Sequence, residues 1–178
     1  MKNSRIYNKI RTVENWPKPG VQFRDITTLL QHPRLVEQVV DQFVTFAIRN
    51  KCNSIVAMDA RGFLFATPVS LRTGLPVSLA RKKGKLPAET VSATYQLEYG
   101  EDTVEIHKNS IKKNSNVLLI DDLVATGGTV LAVNECIKRL DAELVAVAVV
   151  IDLPDIGGSN KIKNEGIKFY KCVSFEGE

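Results

Sequence analysis

The chain has 178 residues, 44% hydrophobic and 25% charged, and a net charge of +4. That is the composition of one soluble globular domain whose core needs no disulfide or metal staple, and the mild basic excess suits an anionic small molecule as well as it suits nucleic acid. Cys52, Cys136 and Cys172 are far apart and outside any Cys-x-x-Cys or His-rich pattern, so neither a disulfide framework nor a zinc site is indicated. The polar N-terminus lacks the apolar core of a signal peptide, and the longest apolar run, 144–151, is far too short to cross a bilayer. A cytoplasmic protein with reduced thiols and no membrane association is expected.

Residues 2–11 carry Ile6, Tyr7 and Ile10 at helical spacing, which predicts a short amphipathic helix. Residues 16–20, Trp-Pro-Lys-Pro-Gly, form a stiff non-helical connection. Residues 21–26 read as extended, with Asp25 or Thr27 placed to cap the next segment. Over 33–51 the apolar residues Leu35, Val36, Val39, Val40, Phe43, Phe46 and Ala47 recur at helical intervals behind an opening proline, a long helix. A strand over 54–58 ends at Asp59, and a turn at Arg61-Gly62 leads into a helix through about Arg72. Residues 77–80 give another strand.

Residues 81–103 begin with the basic run Arg81-Lys82-Lys83-Gly84-Lys85 and show little periodicity. The alternation at 91–95 and 104–107 predicts an exposed hairpin, and a connection of this length suggests a lid over 81–107. Residues 143–151 read as a buried strand, 152–158 as a loop and 167–173 as a last strand. The alternation of strands and helices predicts an α/β fold, a doubly wound and mostly parallel sheet flanked by helices, in a single domain 1–178. The lid and a small N-terminal hood over 1–30 complete it.

The stretch 117–129 carries the chemistry. Val117-Leu118-Leu119-Ile120 is a strand covered on both faces, Asp121 and Asp122 stand at its carboxyl end, and Ala125-Thr126-Gly127-Gly128-Thr129 is a turn of small residues. A helix comes next, marked by Val130, Val133, Asn134, Ile137 and Leu140. In an open α/β sheet that edge is where ligands bind. Small residues let backbone N–H groups close around an anion, and a helix start adds partial positive charge. The order of parts predicts a pocket for a phosphorylated sugar, its phosphate on the turn and its hydroxyls, or Mg²⁺, on the acids. Neither Gly-x-x-x-x-Gly-Lys-Ser/Thr nor a helix-opening Gly-x-Gly-x-x-Gly is present.

Four separated pieces together resemble the adenine-using branch of the type I phosphoribosyltransferase family: 19–27, 59–63, the basic run through Pro87 with 97–100, and the turn itself. The resemblance implies a purine salvage enzyme. It would transfer the 5-phosphoribosyl group of phosphoribosyl pyrophosphate to adenine, with Mg²⁺ bound alongside the sugar substrate, giving AMP and pyrophosphate. It further implies that Asp121, Asp122 and 125–129 hold ribose and 5′-phosphate, the two acids also meeting the metal. Arg61, Arg81, Lys82 and Lys85 would meet pyrophosphate, with Arg81 and Lys82 able to serve a neighbouring subunit of a homodimer. Glu98, with Tyr99 shielding the site, matches the family's proposed acid–base position. Gln22 and Arg24 would read adenine through their main chain, Phe23 would stack on it and Leu153 would touch it from the opposite loop. Small departures from the family pattern fall at Ala66, Lys83 and Ala88. Two alternatives stand beside this: transfer to another purine, and a regulator that senses the sugar phosphate while binding nucleic acid. The segment before residue 19 is short and weakly basic for the second, so no nucleic-acid partner is expected.

Overall fold

The computed structural model describes residues 4–96 and 100–177. In chain order the elements are α1 (Ser4–Tyr7), β1 (Arg11–Glu14), β2 (Gln22–Asp25), α2 (Thr27–Leu30), α3 (Pro33–Arg49), β3 (Ser54–Met58), α4 (Gly62–Thr73), β4 (Val77–Lys82), β5 (Thr90–Gln96), β6 (Glu101–His107), β7 (Asn116–Val124), α5 (Gly128–Arg139), β8 (Glu143–Asp152), a 3₁₀ turn (Pro154–Ile156), α6 (Gly158–Asn164) and β9 (Lys168–Ser174).

Seven strands form the main sheet in the order β5-β6-β4-β3-β7-β8-β9. β4, β3, β7, β8 and β9 run parallel, and the hairpin β5–β6 adds antiparallel to β4. From β3 the chain moves outward to β4, whereas from β7 it moves the other way to β8 and β9. The order therefore reverses between β3 and β7, and the crevice at their carboxyl ends is the usual ligand position in such a sheet.

The strand sequences explain why both faces are covered. Along β3, Ile55 and Ala57 enter one apolar layer with Phe43 and Phe65, while Val56 and Met58 enter the other with Val133 and Ile137. β7 divides in the same way: Leu118 and Ile120 face the α3/α4 side, Val117 and Leu119 the α5 side. Period-2 side chains on a two-sided sheet give the unbroken apolar runs seen in the sequence. In α3, Val39, Val40, Phe43 and Ala47 are buried on one stripe. Complete burial of a side chain such as Phe43 stabilises the fold by about 1.5–3 kcal/mol relative to exposure.

The α/β architecture matches the expectation, and four local readings change. The N-terminal helix is confined to α1, with Ile6 fully buried, and Arg11–Glu14 is instead a strand paired with Gln22–Asp25. Its one apolar residue, Val13, gave no alternation to read. A 3₁₀ turn stands within the loop expected over 152–158, and α6 follows it where no helix was expected, since α6 buries only one large apolar side chain, Ile162. The strand through the two acids runs on to Val124. Finally, the hairpin is not exposed along its length: Ala93, Val104 and Ile106 are buried in the layer that α5 covers. Its pairing with β4 makes the base of this hairpin part of the sheet.

Candidate active site

Two close approaches build the site. A Cβ on Gly62 would lie 2.5 Å from the Ile120 carbonyl oxygen, so only glycine lets the start of α4 come against β7 at the point where its acids begin. Arg61, one residue earlier, is thereby brought to Asp122: its Nε donates to Asp122 Oδ2. Asp122 is 4% exposed, and the Arg61 side chain is 46% exposed at the cleft. The second approach is at the turn, where Gly127 takes φ +79° and forms the N-cap of α5. This left-handed backbone favours glycine. The Gly128 amide reaches Thr126 Oγ1 at a long 3.4 Å.

Asp121 and Asp122 are not equivalent. Asp121 Oδ1 accepts the Asp122 amide at 2.7 Å. Burial, and then the neighbouring Asp122 charge, push the Asp121 carboxyl well above the usual carboxylate range. Asp122 has the guanidinium partner and Asp121 does not, which leaves Asp121 the acid more ready to accept a new cation or hydroxyl donor.

Opposite the acids stands the basic run. Arg81 Nε donates to Asp59 Oδ2 at 2.9 Å and its Nη1 to the Lys85 carbonyl at 3.1 Å. Lys82 Nζ lies 2.8 Å from Asp102 Oδ2, and Tyr95 donates to the same oxygen at 3.4 Å. Lys82 holds the Asp102 carboxyl below its usual value, and that hydrogen bond raises the Lys82 ammonium in turn. Glu105, buried beneath the run, accepts the Gly84 amide at 3.0 Å. Arg61, Arg81 and Lys82 all line a cleft of about 290 Å³ together with Asp59, Tyr95, Thr103, Asp121, Asp122 and Thr129. Lys85 is exposed outside that lining, tied to it through its carbonyl.

The base-side candidates sit beside this cleft. The Phe23 ring lies under the Arg61 guanidinium at 5.6 Å and meets half-exposed Trp16 edge-on at 4.5 Å. Arg24 and Asp25 are not a surface ion pair. Arg24 is buried, donating to Thr12 Oγ1 at 2.6 Å and the Glu176 carbonyl at 3.1 Å with its guanidinium over Phe175, and Asp25 pairs with Arg11 at 2.5 Å. The two terminal nitrogens of Arg24 are thus occupied, while its buried Nε has no hydrogen-bond partner. Gln22 is exposed on β2, and Leu153 is buried at the end of β8. Glu98 and Tyr99 lie outside the described residues. Sequence reading missed Asp59, Asp102 and Glu105 as partners of the cations. Asp59 was visible as a strand-end acid, but the other two depend on hairpin register, which no local pattern carries.

An open sheet covered on both faces, with acids, a small-residue turn and opposed cations at its switch point, defines a class of enzyme that handles phosphorylated sugars. A model of the phosphoribosyl transferase domain matches residues 25–176. Adenine phosphoribosyltransferase of Marinobacter nauticus is 47% identical over 173 residues, covering 97% of this chain and 96% of its own. Among solved structures, adenine phosphoribosyltransferase of Thermoanaerobacter pseudethanolicus superposes with a TM-score of 0.92 at 34% identity, over 97% of this chain and 99% of that one. The Saccharomyces cerevisiae enzyme, complexed with an imino-altritol bisphosphate and adenine, gives 0.89 at 32% identity, over 97% and 98%. The chain belongs to the adenine phosphoribosyltransferase family.

Proposed function

We infer that the protein is a purine salvage enzyme that transfers the 5-phosphoribosyl group of phosphoribosyl pyrophosphate to adenine. The C1–oxygen bond to pyrophosphate breaks, a bond from C1 to N9 of adenine forms, and the N9 proton is released; AMP and pyrophosphate leave. The observation that carries this reading is the convergence, in one cleft, of two adjacent acids on β7, Thr129 in the first turn of α5 and the cations of the α4 start and β4. Positive charge grows on the sugar as the bond to pyrophosphate breaks, and negative charge grows on the leaving group. Fixed cations lower that barrier where the charge develops.

The proposed division of labour matches the chemistry of each group. Amides and hydroxyls of Ala125, Thr126, Gly127, Gly128 and Thr129 hold the 5′-phosphate, and Asp121 and Asp122 accept the ribose hydroxyls. Arg61, Arg81, Lys82 and Lys85 gather around pyrophosphate, with Arg81 and Lys82 serving the cleft of their own chain, which they line. The main chain of Gln22 and Arg24 reads the adenine edge, between Phe23 and Leu153. Glu98 takes up or returns the ring proton, and Tyr99 excludes water beside it. Residues 1–30 act as the hood and 81–107 as the lid of a single domain.

No group of three or more His, Cys, Asp or Glu side chains that would hold a metal exists among the described residues. Two adjacent carboxylates do fit Mg²⁺ that keeps substrate oxygens and water as its other ligands, which is how this ion is usually held. Asp121 and Asp122 would hold it, and bound there it offsets charge on the sugar diphosphate.

The protein is proposed to work in the cytoplasm as a homodimer. No helix among the described residues is long and apolar enough to cross a membrane. Leu64 and Leu71 on α4 are exposed apolar side chains available to a second copy; light scattering of the purified protein decides the oligomeric state. The activity is tested by incubation with phosphoribosyl pyrophosphate, Mg²⁺ and each purine in turn, with products separated by chromatography. AMP from adenine is expected. Nucleotide from hypoxanthine or guanine in preference, or salt-sensitive DNA binding without turnover, would overturn the reading.

A further inference from the structure

Gly157 and Gly158 are neighbours, and the fold uses them for opposite reasons. Gly157 has φ +86° and nothing within 4 Å of where a Cβ would stand, so it is required for its backbone conformation. Gly158 is outside the left-handed region, and a Cβ there would lie 2.2 Å from the Ala125 carbonyl oxygen, 2.6 Å from the Gly127 nitrogen and 2.7 Å from the Thr126 carbonyl carbon. Every one of those atoms is backbone. From the other side, a Cβ on Gly127 would meet the Gly158 carbonyl oxygen at 3.0 Å. The Gly158 amide also donates to the Ala125 carbonyl at 3.0 Å, and the Leu153 amide donates to that of Val124 at 3.1 Å. The segment from Leu153 to Gly158 thus lies against the back of the turn from Val124 to Gly127.

A turn that binds an anion through its amides faces a constraint. Those N–H groups must point outward to the ligand and so cannot be used to brace the turn internally. Rigidity has to come from behind, and here it comes from the start of α6. We propose that Gly158 is a positioning residue for the sugar-phosphate substrate: lacking a side chain, it lets the α6 backbone press on residues 125–127 and set the direction of their amides. This rests on the turn being the 5′-phosphate site. A methyl group at 158 cannot be absorbed by a side-chain rotation, since it meets main chain only, so the backbone contact between the α6 start and the turn must open.

The test is a comparison of Gly158→Ala with Gly157→Ala, both assayed for folding by circular dichroism and melting. Gly158→Ala is expected to raise KM for phosphoribosyl pyrophosphate, and Kd for ribose 5-phosphate, by about 10- to 100-fold, the loss that a displacement near 1 Å produces. Its KM for adenine stays within about 3-fold. Gly157→Ala introduces backbone strain and lowers the melting temperature, yet leaves both sugar-phosphate constants within about 3-fold. Should Gly158→Ala fail to fold, hydrogen exchange on the wild-type protein decides: ribose 5-phosphate is expected to slow exchange at the Gly158 amide, and an unchanged rate overturns the proposal. Wild-type binding constants in a folded Gly158→Ala variant, or equal losses for adenine and sugar phosphate, overturn it too. A wild-type protein that binds no ribose 5-phosphate sinks the phosphate reading itself and this inference with it, whereas a wild-type binder with an equally good Gly158→Ala variant sinks this inference alone.

Discussion

The two regions proposed to bind the substrate's anions are built in opposite ways. The turn at 125–129 contains no charged side chain and is braced by backbone, through Gly127 and Gly158. The run at 81–85 has four cationic side chains, and acids hold it: Asp59 on Arg81, Asp102 on Lys82 and Glu105 on the Gly84 amide. Under the proposed reaction the 5′-phosphate stays attached to the sugar throughout, and fixed dipoles suit a group whose charge does not change. Pyrophosphate leaves, and side-chain cations with acid partners suit it, because Asp59 and Asp102 remain paired with Arg81 and Lys82 once it has gone. Full charges also act over the longer distances of a group in motion.

The largest expected effect probes the junction between the two regions. Arg61→Ala leaves buried Asp122 without its cation. It should lower kcat/KM for phosphoribosyl pyrophosphate by about 100- to 1,000-fold, with pyrophosphate inhibition weakened in parallel; unchanged inhibition by pyrophosphate would remove Arg61 from the site. Glu98→Leu should lower kcat by about 100-fold or more while Kd for ribose 5-phosphate stays within about 3-fold, the signature of a proton-transfer group. Equal losses in turnover and binding would make Glu98 a binding residue instead.

Salt gives a smaller and more direct contrast. Raising ionic strength from about 0.05 to 0.5 M should weaken pyrophosphate inhibition several-fold more than ribose 5-phosphate binding, since the full charges of exposed Lys82 and Lys85 are screened, whereas short hydrogen bonds from backbone amides depend little on screening. Identical salt slopes would erase the distinction between the regions.

The smallest effect is in stability against pH, and the acid that holds Lys82 and the acid on β7 ahead of the turn should move in opposite directions. Lys82 lowers the Asp102 carboxyl, so its contribution is present above the unfolded value near 4 and is lost as pH falls through the lowered folded value. Half of that pair is exposed, and Asp102→Asn should cost no more than about 0.2–1 kcal/mol at pH 7 and nothing at pH 2. Burial raises the Asp121 carboxyl, so its contribution is present below about pH 4 and is lost as pH rises through the raised folded value. Asp121→Asn should therefore melt higher than wild type at pH 8. Melting curves of both variants across pH check the signs.

How far each feature was legible in the sequence depends on how local it is. The strand at 54–58, the start of α4, the acids and the turn are contributed by consecutive residues, so their order could be read directly. The burial of Leu118 against one layer and Leu119 against the other is the expected reading of an unbroken apolar run. Asp102 was illegible because its place beside Lys82 comes from the hairpin register that sets it opposite Tyr95. Glu105 falls in an alternating pattern that predicts a solvent face, and the β4 turn covers it instead. Gly158 reads as half of a Gly-Gly loop signal, and nothing nearby distinguishes the glycine that needs its backbone angle from the one that needs its lack of bulk.

The flat guanidinium of Arg61 lies over the Phe23 ring and also binds Asp122, so under the proposed assignment the compartment for the purine and that for the sugar share a wall. A ligand that stills this wall spares its co-substrate part of the entropy loss of doing so, and by linkage the favour is mutual. Adenine and phosphoribosyl pyrophosphate should each tighten the grip on the other, through an arginine that belongs to both halves.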